Sequence, residues 1–282
     1  MLKIPLEKIK PYITLIRLSN FIITAASVFV SCILAGATRA MIAEMLAASF
    51  AAGLIGGGGM VINDYFDLEI DRINKPKRPL PSGAVTRRAA LTFWIILSSS
   101  GLFLNLFLPS TAGIIAIGAA AIIFFYSKVL KRTPLFGNLT VGALTALAFI
   151  YGGAAVGNIG RAVMPAVFAF LINVGREIIK DMEDVEGDIQ NDAVTFPVKF
   201  GMRRAAALAT IFLFAVIGST IIPFANQQYG SMYFIIVNIG VNAVLIVVLA
   251  SLWKNQSQQN LHRLSSILKY DMFIGLIAIY LG

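Results

Sequence analysis

Charge is scarce in this sequence. Only 13% of its 282 residues are Asp, Glu, Lys or Arg, against roughly 25% in soluble domains. That deficit, with a mean hydropathy of +0.82, excludes an ordinary soluble protein. Cysteine is reduced to Cys32, which excludes a disulfide or a thiolate metal site. Histidine is reduced to His262, so histidine-based acid–base or metal chemistry is excluded too, and this residue is expected on the surface of an amphipathic stretch. Acids are outnumbered by bases, 14 to 23, for a net charge of +9. Nucleic acid is not needed to explain that excess. Basic loops facing anionic membrane lipid account for most of it, and the same surface suits a diphosphate. No low-complexity linker, soluble appendage or protein-partner motif is seen.

What is abundant is apolar sequence. Several runs approach the ~20 residues that cross a bilayer as a helix. The pattern predicts an all-α, polytopic membrane protein with about nine helices, near 15–37, 41–62, 89–108, 110–128, 138–157, 162–180, 203–224, 230–253 and 267–282. With the N-terminus cytoplasmic, every basic residue of the 23 except Arg39 and Arg161 falls on the cytoplasmic side. This is a strong positive-inside pattern, and it puts the C-terminus outside. The basic N-terminus followed by an apolar run reads as a first span, because no small-residue cleavage site follows it. The whole of 1–282 reads as one transmembrane domain.

The acids are more localised than the bases. All of the 14 except Glu7, Glu44 and Asp271 lie in two groups, 64–71 and 177–192, each at the cytoplasmic end of an expected span. Within them Asp64, Asp67 and Asp71 repeat the spacing of Asp181, Asp184 and Asp188. The intervals of three and seven residues put three carboxylates on one helix face. Like charges so close repel unless a cation sits among them. Solvated acids at span ends are the bland alternative, and two isolated copies of one spacing argue against it. Glu69 and Glu186 fall off that face. The repeat also hints at two similar halves.

Oxygen-only ligands favour Mg²⁺, which usually completes its shell with substrate phosphates. Two such faces across a cavity suggest a Mg²⁺–diphosphate site, with Asn63 as a neutral oxygen donor. Diphosphate leaves readily only when its charge is neutralised. Arg72, Lys77, Arg78, Lys128, Arg132 and Lys180 adjoin the clusters and are candidates to contact it. Three prolines and a glycine stiffen 72–88, so Lys77 and Arg78 can be held over an anion at low entropic cost. Tyr65, Tyr126 and Ser127 are placed to border the substrate. Arg17 and Asn20 open the first span, where polar residues are functional candidates. Arg17 or Arg176 could supply the extra cation that a phosphate-bearing acceptor needs.

The motifs Asn63-Asp64-x-x-Asp67-x-x-x-Asp71 and Asp181-x-Glu183-Asp184-x-x-Gly187-Asp188 resemble the two signatures of the UbiA superfamily of intramembrane prenyltransferases. Tyr126-Ser127-Lys128, Lys131-Arg132 and Gly137-Asn138-Leu139 resemble its pattern as well, and the likeness runs the length of the chain. It implies a helical bundle around a central cavity with a cytoplasmic cap, and Mg²⁺ bridging the aspartates to a prenyl diphosphate donor. Segments 71–79, 152–159 and 176–189 most resemble members that move a geranylgeranyl group from geranylgeranyl diphosphate to the glycerol hydroxyl of geranylgeranylglyceryl phosphate, a lipid-like acceptor. The run at 78–83 is widespread in the family and does not choose the acceptor. An aromatic or tetrapyrrole acceptor is the alternative within the family. A transporter with acidic ion sites is the alternative outside it. Transport favours charge at mid-bilayer, whereas these acids sit at span ends.

Overall fold

A computed structural model describes residues 6–190 and 193–282, without the side chains of 6–8 and 132. The described residues are helical and contain no strand. The chain order is α1 (Leu6–Ile16), α2 (Leu18–Leu34), α3 (Ile42–Phe66), α4 (Leu68–Asn74), α5 (Arg87–Leu104), α6 (Ser110–Lys128), α7 (Phe136–Ala155) and α8 (Ile159–Glu183). There follow α9 (Val185–Gln190), α10 (Phe196–Phe200), α11 (Met202–Ser219), α12 (Ile221–Ala225), α13 (Ser231–Ile236), α14 (Ala243–Lys254) and α15 (Gln258–Leu281). Among the described residues eight helical stretches are long and apolar enough to cross a membrane, and a ninth is counted if α1 and α2 form one broken span. Large apolar side chains that point outward on them, such as Ile117, Ile211 and Ile239, find a solvent only in lipid.

Three departures from the sequence reading have local causes. The first span is not one helix from 15 to 37. It breaks at Arg17, where α1 and α2 meet at 50° and the backbone is left-handed (φ 49°, ψ 71°). The last helix starts nine residues before 267, at Gln258. The Ser257 hydroxyl caps it by accepting from the Asn260 amide, and Leu261 and Leu264 bury its first turns. The acidic clusters do not ride on single helices either. Asp67 sits at the junction of α3 and α4, and Asp184 at that of α8 and α9. The i→i+4 backbone bonds nevertheless run on through both junctions, from the Asp67 and Asp71 amides and from the Asp184 and Asp188 amides. The middle aspartate of each trio therefore marks a break in a nearly continuous helix.

The chain divides into two compact units, 1–129 with 147–162, and 130–146 with 163–282. Each unit carries one acidic cluster. In the first, α3 is the hub. Small residues let its neighbours come close: a Cβ on Gly53 would meet the Phe21 ring at 2.8 Å, and one on Gly59 would meet Ile123 at 2.7 Å. The returning segment 147–162 is tied in where Ser31 Oγ donates to the Phe149 carbonyl at 2.7 Å. A second cluster, built on Leu15, Val61, Leu68, Leu80, Val85 and Ala90, packs under the 75–86 loop. In the second unit Gly142 lies against Val174, and Gly175 against Leu213. A buried polar chain links Tyr233 to the Thr220 carbonyl at 2.9 Å, and Asn242 to the Thr220 hydroxyl at 3.1 Å. It satisfies groups that lipid would leave unpaired.

Candidate functional site

In the first unit the end of α3 delivers Asp64 to a buried position, 4% exposed. A lone carboxylate there would be costly, and two arginines answer it. Arg17 Nη2 donates to Asp64 Oδ1 at 2.9 Å, and Arg78 Nη1 donates to the same oxygen at 3.3 Å. The Arg78 nitrogen also donates to Asp71 Oδ2 at 2.6 Å, and Asp71 is buried as well. One guanidinium nitrogen thus gathers oxygens from two aspartates of the trio. Asn63 Nδ2 donates to Asp67 Oδ2 at 3.0 Å, so its amide oxygen is turned away from that carboxylate.

The loop that carries Arg78 is held rather than free. Leu80 and Val85 are buried in the core beneath it. The Val85 amide closes back on the Pro79 carbonyl at 3.0 Å, and Gly83 turns the chain with a φ of +77°. Nearby, Arg87 lies over the Tyr65 ring at 4.5 Å. A chain of rings runs from Tyr65 through Phe66 and Phe124 to Trp94, with centroids 5.4–5.6 Å apart. Ser127 is buried and Tyr126 half-buried at the end of α6, while Lys128 is exposed beyond them. Asn20 reaches the Met60 sulfur at 3.7 Å. Lys77 is exposed. Arg72 is paired with Glu69 at 2.8 Å, both exposed, which accounts for that off-face glutamate.

In the second unit Asp181 accepts from Asn138 Nδ2 at 2.8 Å, and Asp188 accepts from Thr195 Oγ1 at 2.9 Å. Asp184 is at the surface. Even so, partial desolvation raises its pKa above the usual carboxylate value, and the charges of Glu183 and Asp188 raise it further. Desolvation also raises Asp188, against the Thr195 hydrogen bond that lowers it. Glu177 holds both Arg176 (3.0 Å) and Lys180 (3.1 Å), and Arg176 Nε donates to the Ser265 carbonyl at 3.1 Å. His262, exposed as the sequence predicts, contacts Glu183 through Nδ1 at 2.7 Å.

Among the described residues no three His, Cys, Asp or Glu side chains already stand together as a metal cage. The donor set nevertheless fits Mg²⁺. It is made of carboxylate oxygens, and the oxygens of Asp64 and Asp71 converge on a position that now holds positive charge. The structure brings together Arg17, Asp64, Asp71 and Arg78 of the residues expected from sequence. It directs Arg72 and Lys180 to neighbouring glutamates instead. The side chain of Arg132, and the whole of Asp192, lie outside the described residues. Sequence reasoning passed over Thr195 and Arg87, and did not pair Asn138 with Asp181. A polar side chain inside an apolar helix was the available signal for Asn138. Asp271 was set aside as well. It is 1% exposed in α15, and neither of its carboxyl oxygens has a hydrogen-bond partner among the described residues.

Residues 24–277 match the UbiA prenyltransferase family. The chain is 42% identical over 221 residues to digeranylgeranylglyceryl phosphate synthase of Thermococcus gammatolerans, covering 78% of this chain and 79% of that protein. It is 33% identical over 274 residues to the synthase of the same description from Methanothermobacter thermautotrophicus, covering 96% and 95%. A solved structure of digeranylgeranylglyceryl phosphate synthase superposes with a TM-score of 0.88 at 34% identity, over 98% of both chains. A UbiA homolog from Archaeoglobus fulgidus bound to GPP and Mg²⁺ superposes with a TM-score of 0.68 at 17% identity, over 95% and 99%. At that identity the likeness is one of fold.

Proposed function

The chain belongs to the UbiA prenyltransferase family, and from that premise we propose that it is a Mg²⁺-dependent intramembrane enzyme moving a geranylgeranyl group from geranylgeranyl diphosphate to the glycerol hydroxyl of geranylgeranylglyceryl phosphate. The product carries the second ether bond of an archaeal-type membrane lipid. The convergence of Asp64 and Asp71 on one nitrogen of Arg78, at the end of an apolar span, is the observation that carries this reading. The relatives' shared description supports the choice of substrates.

In this reading Asp64, Asp67 and Asp71 in one unit, and Asp181, Asp184 and Asp188 in the other, are metal-binding carboxylates, with Asn63 beside them. Those residues would hold Mg²⁺, which when bound would supply the charge neutralisation that makes diphosphate a better leaving group. Arg78 and Lys77, with Lys128 and Arg132, supply cationic contacts to the phosphate oxygens. Leu80 and Val85 anchor the loop backbone, so Arg78 exchanges its carboxylate partners for phosphate oxygens without the loop itself having to move. The C–O bond to diphosphate breaks with its electron pair leaving on oxygen. The ring faces of Tyr65, Phe66 and Phe124 stabilise the positive charge on the allyl group. The acceptor hydroxyl then forms the ether bond, and its proton passes to the departing diphosphate. Arg17 or, alternatively, Arg176 is offered to the acceptor's phosphate, and Asn20, Tyr126 and Ser127 to the substrates' polar ends.

The basic residues favour a cytoplasmic N-terminus and cytoplasmic acidic clusters, with the C-terminus outside. The test is direct. Purified protein is given Mg²⁺ and geranylgeranyl diphosphate, with geranylgeranylglyceryl phosphate or, separately, 4-hydroxybenzoate, and products are identified by mass. Diether formed only from the glyceryl phosphate supports the proposal. Prenylated hydroxybenzoate overturns the acceptor and leaves the metal chemistry standing.

A further inference from the structure

Arg17 is a costly way to neutralise Asp64. Its backbone is left-handed, a conformation that strains a residue with a Cβ. The surroundings hold it there. On one side Leu15 is fully buried and Tyr12 packs edge-on against Phe93 at 5.1 Å. On the other, the Asn20 amide bonds the Arg17 carbonyl at 2.7 Å and starts α2. The break between the helices is therefore built, and its effect is to aim one guanidinium at one oxygen. That oxygen, Asp64 Oδ1, is also taken by Arg78. Any cation that binds Oδ1 must displace a guanidinium. Arg78 has a second and closer carboxylate in Asp71, whereas Asp64 is the only ion-pair partner of Arg17 among the described residues. Arg17, with its side chain 33% exposed, also has room to move.

We propose that Arg17 is an exchangeable counter-cation. It neutralises Asp64 while no divalent metal is present, yields that oxygen when metal binds, and is then free to take a phosphate oxygen of either substrate, the donor's diphosphate included. The proposal rests on the Mg²⁺–diphosphate reading of the first cluster and adds a direction of coupling to it. Removing the arginine should strengthen metal binding and weaken phosphate binding. A merely structural arginine would, on removal, weaken both.

The experiment uses the full chain in detergent, with Mn²⁺ as the metal probe followed by electron paramagnetic resonance, and inorganic pyrophosphate as the anion probe. Asp64→Asn identifies the signal that belongs to this carboxylate. Arg17→Gln is expected to bind Mn²⁺ about tenfold more tightly than wild type, the scale of one charge-assisted hydrogen bond no longer in competition. It should bind pyrophosphate severalfold more weakly in the presence of Mn²⁺. Arg17→Lys keeps the charge and should stay near wild type for Mn²⁺. Melting without metal should be earlier for Arg17→Gln, and Mn²⁺ should raise it by more than it raises wild type. Unchanged or weaker Mn²⁺ binding in Arg17→Gln overturns the exchange, as does an Arg17→Lys variant that tightens equally. If wild type binds Mn²⁺ no better than Asp64→Asn, the metal reading of this cluster falls first and the exchange with it.

Discussion

Asp64→Ala separates the chemistry of the first cluster from its packing. The change removes a 4%-exposed carboxylate and two charge-assisted hydrogen bonds, from Arg17 at 2.9 Å and Arg78 at 3.3 Å. Neither arginine is stranded. Arg78 keeps Asp71 at 2.6 Å, and Arg17 is a third exposed and can hydrate. No buried charge is left alone, so the fold should lose only about 1–2 kcal/mol after discounting for solvent screening. The loss to catalysis should be larger. A metal ligand that acts on the leaving group contributes several kcal/mol to the transition state, and ~4 kcal/mol is about a thousandfold in rate. The assay pairs a melting curve in detergent with turnover at saturating Mg²⁺, read as prenylated product by mass. A fold intact to within a few degrees and turnover near background is the expected result. If the variant keeps more than about a tenth of wild-type activity, Asp64 is not a metal ligand and the site is wrong as drawn.

Four further outcomes follow from particular contacts. Asn138→Ala removes the donor to Asp181 and should raise the Mg²⁺ concentration needed for half-maximal turnover; an unchanged Mg²⁺ requirement would show that this hydrogen bond does not tune the carboxylate. Asp184 and Asp188 have raised pKa values, so on acidification their ionised form disappears at a higher pH than for a free aspartate. Since metal needs that form, activity at low Mg²⁺ should fall on the acid side earlier than the ordinary carboxylate range predicts. Excess Mg²⁺ should move the fall to lower pH, and an acid limb that ignores Mg²⁺ would refute the assignment. Gly152→Ala sets a Cβ 2.6 Å from Ser31 and 3.0 Å from the Val28 carbonyl. It should lower the melting temperature, by roughly 1–3 kcal/mol of strain, and an unshifted melt would mean the two helices are not tightly packed there. Asp271→Ala removes a buried carboxyl without hydrogen-bond partners among the described residues and should leave stability unchanged or raised; a clear fall in melting temperature would reveal a partner for it.

The membrane character, eight of the nine expected apolar spans as unbroken stretches and both aspartate trios were legible in the sequence. Each is a property of local composition or spacing: charge is excluded from lipid, and intervals of three and seven residues define a face whether or not the helix bends. The family signatures were legible for the same reason, since each lies within nine consecutive residues. The breaks at Asp67 and Asp184 were not, because the i→i+4 bonds that keep the face also hide the break from any periodicity. The early start of α15 was missed because its first turns are polar outside and apolar only at Leu261 and Leu264.

Partnership was decided by tertiary structure alone. Nothing in the spacing of Arg17, Asp64, Asp71 and Arg78 says that two guanidiniums meet at one carboxylate oxygen. That requires the left-handed break at Arg17, the glycines that bring α2 against α3, and a loop pinned by Leu80 and Val85. Arg72 and Lys180 differ: their positions beside the motifs suggested phosphate, yet Glu69 and Glu177 stand three residues away on the same helices, a local pairing that the spacing alone allows. A sequence states which charges a chain carries. Which of them are neutralised by one another depends on distances of 3–4 Å, and only the packed helices set those.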